Sequence, residues 1–130
     1  MRDQPTGDQL LETARELLRE QVLPILPANQ CHAALMIANA MAIAMRELKS
    51  GYAHEREEFS SLVELLQMPE EVQSLSGLSL TGALGDGNRS LCQMIRSGGA
   101  DSGIARDAVG KHLLLVTRNR VSISNPKYLL

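Results

Sequence analysis

Residues Cys31 to Met45 read CHAALMIANAMAIAM, and one imidazole and one amide are their only strongly polar side chains. Ala, Leu and Met are strong helix formers, and no Gly or Pro interrupts them. A helix that is apolar all round its circumference belongs inside something. It is too short for a bilayer, which needs about 20 apolar residues, and Asn39 sits near its centre. The stretch therefore predicts the buried central helix, residues 31–48, of a soluble all-α bundle.

The flanking sequence predicts four or five more helices around it. Thr6 and Gln9 form a capping box, with Asp8 in the first turn. Leu10, Leu11, Ala14, Leu17, Leu18 and Val22 then recur at helical spacing, opposed by Glu12, Arg15, Glu16, Arg19 and Glu20. Pro24 and Pro27 end that helix in a stiff LPILP connector. Asn29 is placed to cap the central helix, Lys49 lies near its negative end, and Gly51 follows it. A third helix opens near Ala53 with Glu55, Glu57 and Glu58, turns Phe59, Leu62, Val63 and Leu66 inward, and stops at Pro69. A short fourth helix follows through Leu75.

Between Gly77 and Gly103 the pattern loosens, because seven of the ten glycines fall there. Only a short helix, 88–97, is expected inside it. The last helix spans about 102–120, with Ile104, Ala108, Val109, His112 and Val116 on its inner side. An extended tail follows; Arg-Asn is a poor two-residue turn, which argues against a hairpin. Val121, Ile123, Tyr128, Leu129 and Leu130 are too apolar for a free end. The tail, with Asn125, Pro126 and Tyr128 as its structural residues, is expected to pack near Arg46 on this chain or on a second subunit of a homodimer.

Composition sets further bounds. At 130 residues the chain is read as a single domain, 1–130. Aromatics make up 2% (Tyr52, Phe59 and Tyr128), which favours helix-on-helix packing and leaves no stacking platform for single-stranded nucleic acid. A net charge of −2 gives no footprint for DNA or RNA. Acidic residues dominate up to Glu71, whereas Arg106, Lys111, Arg118, Arg120 and Lys127 make the last quarter basic; two solvated faces or an anion-docking face both fit. Cys31 and Cys92 have no metal or redox spacing and read as small buried hydrophobes. MRDQPTGDQ lacks the apolar region of a signal peptide, so a cytoplasmic location is expected.

The motifs that carry chemistry fail one by one. Gly77 and Gly82 have the outer spacing of a phosphate loop, but Ala83 and Leu84 stand where Lys and Ser or Thr are required. Gly85-Asp86-Gly87 follows no strand. His54 and Glu58 share a helix face, yet Glu58 occupies the place of the second histidine in the zinc-protease signature. Ser124 and Lys127 are separated by Pro126, which disfavours helix at Asn125. No catalytic residue, metal or cofactor is therefore assigned. What remains is His32, Asn39 and Arg46, spaced by seven on one stripe of the central helix. A buried polar stripe is costly unless paired. Either Arg46 holds an anion oriented by Asn39 with His32 beside it, or Asn39 and Arg46 bond a loop or the tail while His32 caps the helix entrance.

RDQPTGDQLLETARELLREQVLP, CHAALMIANAMAIAMREL and VSISNPKYL together resemble a bacterial helical domain family of unknown function. His32, Asn39, Arg46, Glu47, Asn125, Pro126 and Tyr128 carry the resemblance, and 77–103 is its weakest part. Members are commonly encoded beside acyl-CoA dehydrogenases and aminoglycoside-phosphotransferase-like kinases. The resemblance thus implies a non-catalytic accessory or protein-interaction domain, with a phosphotransferase-like or acyl-CoA dehydrogenase partner. The alternative is a small-molecule, anion-binding protein with a pocket beside Asn39 and Arg46.

Overall fold

A computed structural model describes residues 4–69 and 75–130. The described residues form five α-helices and no strand: α1 (Gly7–Leu17), α2 (Ala28–Ser50), α3 (Ala53–Leu66), α4 (Gly77–Arg96) and α5 (Gly103–Ser124). The all-α expectation holds. The short helix expected from Pro69 to Leu75 falls largely outside the described residues. The chain divides into two compact units, residues 1–51 with 123–127, and residues 52–122 with 128–130.

In the first unit, the Thr6 backbone N–H donates to Gln9 Oε1 at 2.9 Å, and the Thr6 hydroxyl donates to Asp8 at 2.5 Å. That hydroxyl bond, more than any other contact, holds the Asp8 carboxyl below its ordinary range, so the carboxylate faces the positive helix end. α1 does not stop at Leu17. A wider π-type turn carries Leu18–Val22, and a tight 3₁₀ turn carries Leu23–Ile25, with Pro24 where a missing N–H does no harm. α2 begins at Ala28 with Pro27 before it, so Asn29 lies inside the first turn and is not the cap. It ends at Gly51, whose φ of 54° suits a residue without Cβ.

α1 and α2 pack as a helical hairpin. Ala34, Ala38 and Ala42, at i, i+4 and i+8, form the buried face of α2. Their small side chains let α1 approach so closely that Arg15 Nε donates to the backbone carbonyl of Ala38 at 3.1 Å. Those alanines are the only buried residues of α1, α2 and the turns between them. Expected burial of the 31–48 helix on every side is therefore corrected: Met36 is 56% exposed and Ile37 51%. Apolarity showed that the helix is suited to a cover, and α1 covers one side of it.

The second unit has a true core. Phe59, Val63 and Leu80 pack with Leu75, Ala83 and Leu84, while Leu62, Leu91 and Val109 bring α3, α4 and α5 together. α4 is one continuous helix through the glycine-rich stretch, where sequence pattern predicted only 88–97. Gly87 explains part of this. It is buried, and a Cβ there would lie 3.2 Å from the Leu62 side chain, so glycine permits the α3–α4 approach. α3 ends on Gln67, in the left-handed conformation at φ 52°, with the Met68 N–H closing onto Val63 O. α5 runs to Ser124, beyond the expected end at Arg120, and Pro126–Leu129 forms a short 3₁₀ turn. The extended tail is thus mostly helix.

Candidate functional site

The stripe of His32, Asn39 and Arg46 lies along α2, but it is not buried: His32 and Asn39 are exposed and Arg46 is half-buried. Arg46 Nε donates to Ile123 O at 2.5 Å and its Nη2 to Ser124 O at 3.3 Å. A guanidinium on terminal helix carbonyls satisfies acceptors that have no intrahelical partner. This brings residues 123–124 to Arg46, as expected for the tail, and turns donors that an anion would need toward backbone. The apolar end does not follow. Tyr128 is 81% exposed and Leu130 fully so, while Asn125 and Pro126 are exposed as well.

Around α2, residues advance by about 100° each. Ala33, Met36, Ala40, Ile43 and Glu47 fall opposite the Ala34–Ala38–Ala42 face that meets α1. Ile37 and Ala44 flank them on one side, with His32 and Asn39 on the other. The result is an outward apolar strip, exposed at Ala33, Met36, Ile37 and Ala40 and half-buried at Ile43 and Ala44, with polar residues along one edge and at its ends. Leu35 and Leu48 add exposed apolar surface on the same helix.

In the second unit, α3 is stitched to its neighbours by polar pairs. Asn119 Nδ2 donates to Glu57 Oε2 at 2.8 Å, Asn88 Nδ2 donates to Glu58 Oε1 at 2.9 Å, and Ser61 Oγ lies 2.9 Å from His112 Nδ1. Glu57 and Ser61 are one turn apart on α3, and Asn119 and His112 two turns apart on α5, so the ladder fixes an antiparallel register. His112 is only 2% exposed. Burial pushes its pKa down, and the nearby Glu58 carboxylate opposes that shift. A cleft of about 740 Å³ adjoins this pair, walled by Leu65, Met94, Ile104 and Ala108 and edged by Glu64, Asp107 and Lys111.

The Ser61–His112 pair has no backbone oxyanion donor on its own helical turn. Ser61 lies mid-helix, where backbone N–H groups are consumed by the helix ladder, so none is free to receive an oxyanion. The pair acts as a clamp and gives the cleft a polar floor. Sequence reasoning missed it because its members are far apart on separate helices. The available signal was polar residues interrupting core-facing positions, Ser61 beside Leu62 and His112 in register with Val109.

Among the described residues, no three His, Cys, Asp or Glu gather to hold a metal ion, and no helix is long and apolar enough to cross a membrane. Glu58, the carboxylate expected to face His54, is engaged by Asn88. Cys92, expected to be buried, is exposed on α4, and Cys31 Sγ contacts the Leu26 and Pro27 carbonyls.

No curated protein and no solved structure gives a significant match to the chain. A family profile does, over residues 24–128, which takes in all of α2 to α5. The chain belongs to the domain of unknown function family DUF6285.

Proposed function

We propose that the chain is a non-catalytic protein-interaction module and that the outward strip of α2 is its docking face. One observation carries this reading. α2 is apolar around its circumference, yet only its alanine face is buried, which leaves Met36, Ile37 and their neighbours open to solvent. Such a strip with a polar edge is the common anatomy of a helix-mediated interface. An accessory role toward a phosphotransferase-like kinase or an acyl-CoA dehydrogenase accords with the neighbours that the sequence resemblance implies, and such a domain works inside the cell. The test is co-expression of the tagged chain with a phosphotransferase-like kinase and with an acyl-CoA dehydrogenase from the same genome. A stoichiometric complex that Met36→Glu abolishes supports the reading. A complex indifferent to Met36→Glu and Ile37→Glu overturns the assignment of the face.

A second reading places a small molecule in the α3–α5 cleft, favoured by the buried His112 and by a volume within the range of ligand pockets. It moves the anion-binding alternative away from Arg46, whose guanidinium already serves Ile123 and Ser124. Fragment screening by NMR tests it: saturable shifts at Ser61, Lys111 and His112 support it, and shifts scattered over the surface contradict it.

A further inference from the structure

We infer that the occupant of the α2 strip is a second copy of this chain, laid antiparallel across a two-fold axis between Asn39 and Ala40; the inference rests on the docking-face reading above and names its partner.

The strip is self-complementary in that register. Antiparallel pairing about this point sets Met36 of one copy against Ile43 of the other, so the two largest apolar groups interdigitate. Ala40 lies at the crossing, where a small side chain permits close approach of two helices. His32 and Glu47, about 22 Å apart along the axis, fall opposite each other's counterparts, so an imidazole N–H meets a carboxylate at both ends. Asn39 lies on one flank, next to the axis. A two-fold perpendicular to the helices keeps both copies of Asn39 on the same flank, where two amides can hydrogen-bond. A single polar residue at such a position fixes register and orientation in helix pairs. A parallel pairing sets His32 against His32 and Glu47 against Glu47, and forfeits both end contacts. The same register explains why the exposed stripe carries an imidazole and an amide that the hairpin itself leaves unused. It is also isologous, as closed dimers require.

The experiment uses the full chain in sedimentation velocity together with cysteine cross-linking. A dimer is expected, converted to a monomer by Ala40→Glu and by Met36→Lys with the helical circular dichroism unchanged. In a Cys31→Ser, Cys92→Ser background, Ala40→Cys, at the crossing, should form an interchain disulfide on mild oxidation, whereas Glu16→Cys should not. His32→Glu should weaken dimerisation on the order of tenfold, and adding Glu47→His should restore it by exchanging the pair. A chain that stays monomeric across the concentration range overturns the inference. So does a dimer that survives both Ala40→Glu and Met36→Lys, or one in which Ala40→Cys does not cross-link. If a monomer still captures the dehydrogenase or kinase through the same face, the docking-face reading stands and only the second copy is excluded.

Discussion

Replacing Gly82 and Gly85 by alanine should stabilise the protein, and replacing Gly87 should not. All three lie inside α4, where glycine costs about 1 kcal/mol relative to alanine because the unfolded chain has more freedom to lose. A Cβ on Gly82 or Gly85 meets nothing within 4 Å, so each substitution should contribute close to that full amount. For a chain of this length about 1 kcal/mol corresponds to a rise of about 4 °C in Tm, and the double variant should gain about twice that. At Gly87 the new Cβ lies 3.2 Å from Leu62 Cδ1. Leu62 is completely buried against Leu91 and Val109 and has little room to retreat. Overpacking should offset the helical gain for Gly87→Ala, and Gly87→Leu should destabilise by about 1–3 kcal/mol. Urea denaturation followed by circular dichroism measures the series. The reasoning is refuted if Gly82→Ala and Gly85→Ala leave the midpoint unchanged or lower it, because α4 would then not be continuous helix there.

Leu62→Ala should cost about 2–5 kcal/mol, since it opens a cavity where α3, α4 and α5 meet; a loss below 1 kcal/mol in denaturant titration contradicts that core. Arg46→Ala should lower stability by about 1–3 kcal/mol, because the Ile123 and Ser124 carbonyls lose their donors, whereas Asn39→Ala should shift the monomer's urea midpoint very little. Deleting residues 126–130 should leave Tm nearly unchanged, as Tyr128 and Leu130 are exposed; a large drop in differential scanning calorimetry refutes that placement. The lowered His112 pKa means the folded state favours neutral imidazole while the unfolded chain protonates first. Its contribution is complete above the unfolded value of about 6.5 and is lost as pH falls below it. Stability should therefore decline between about pH 7 and 5, and His112→Gln should flatten that slope in thermal melts.

Helix positions were legible wherever local chemistry set them. The Thr6–Gln9 box marked the start of α1, and Gly51 marked the end of α2. Hydrophobic spacing around Phe59, Leu62 and Val63 marked the core face of α3, because only residues near in sequence decide these features. α4 was half hidden, since glycine content speaks of backbone cost and not of the packing that offsets it. Gly87 packs tightly against Leu62, a residue on another helix. Burial was misread for α2 because apolarity tells which surface favours a cover without telling what supplies it. The site residues divide the same way. Arg46 was read both as an anion holder and as a partner of a loop or the tail, and its guanidinium bonds Ile123 and Ser124; His112 was placed on the inner side of its helix, but its pairing with Ser61 became visible only once α3 and α5 were in register.

The most direct test is hydroxyl-radical footprinting of the full chain by mass spectrometry, at low and high protein concentration. The account predicts that Met36 and Ile37 lose reactivity as concentration rises, while Ile104, 90% exposed in the other unit, keeps it. Equal reactivity of Met36 and Ile37 at every concentration would contradict a second copy on α2, and their persistence as reactive sites in a purified partner complex would contradict the docking face itself.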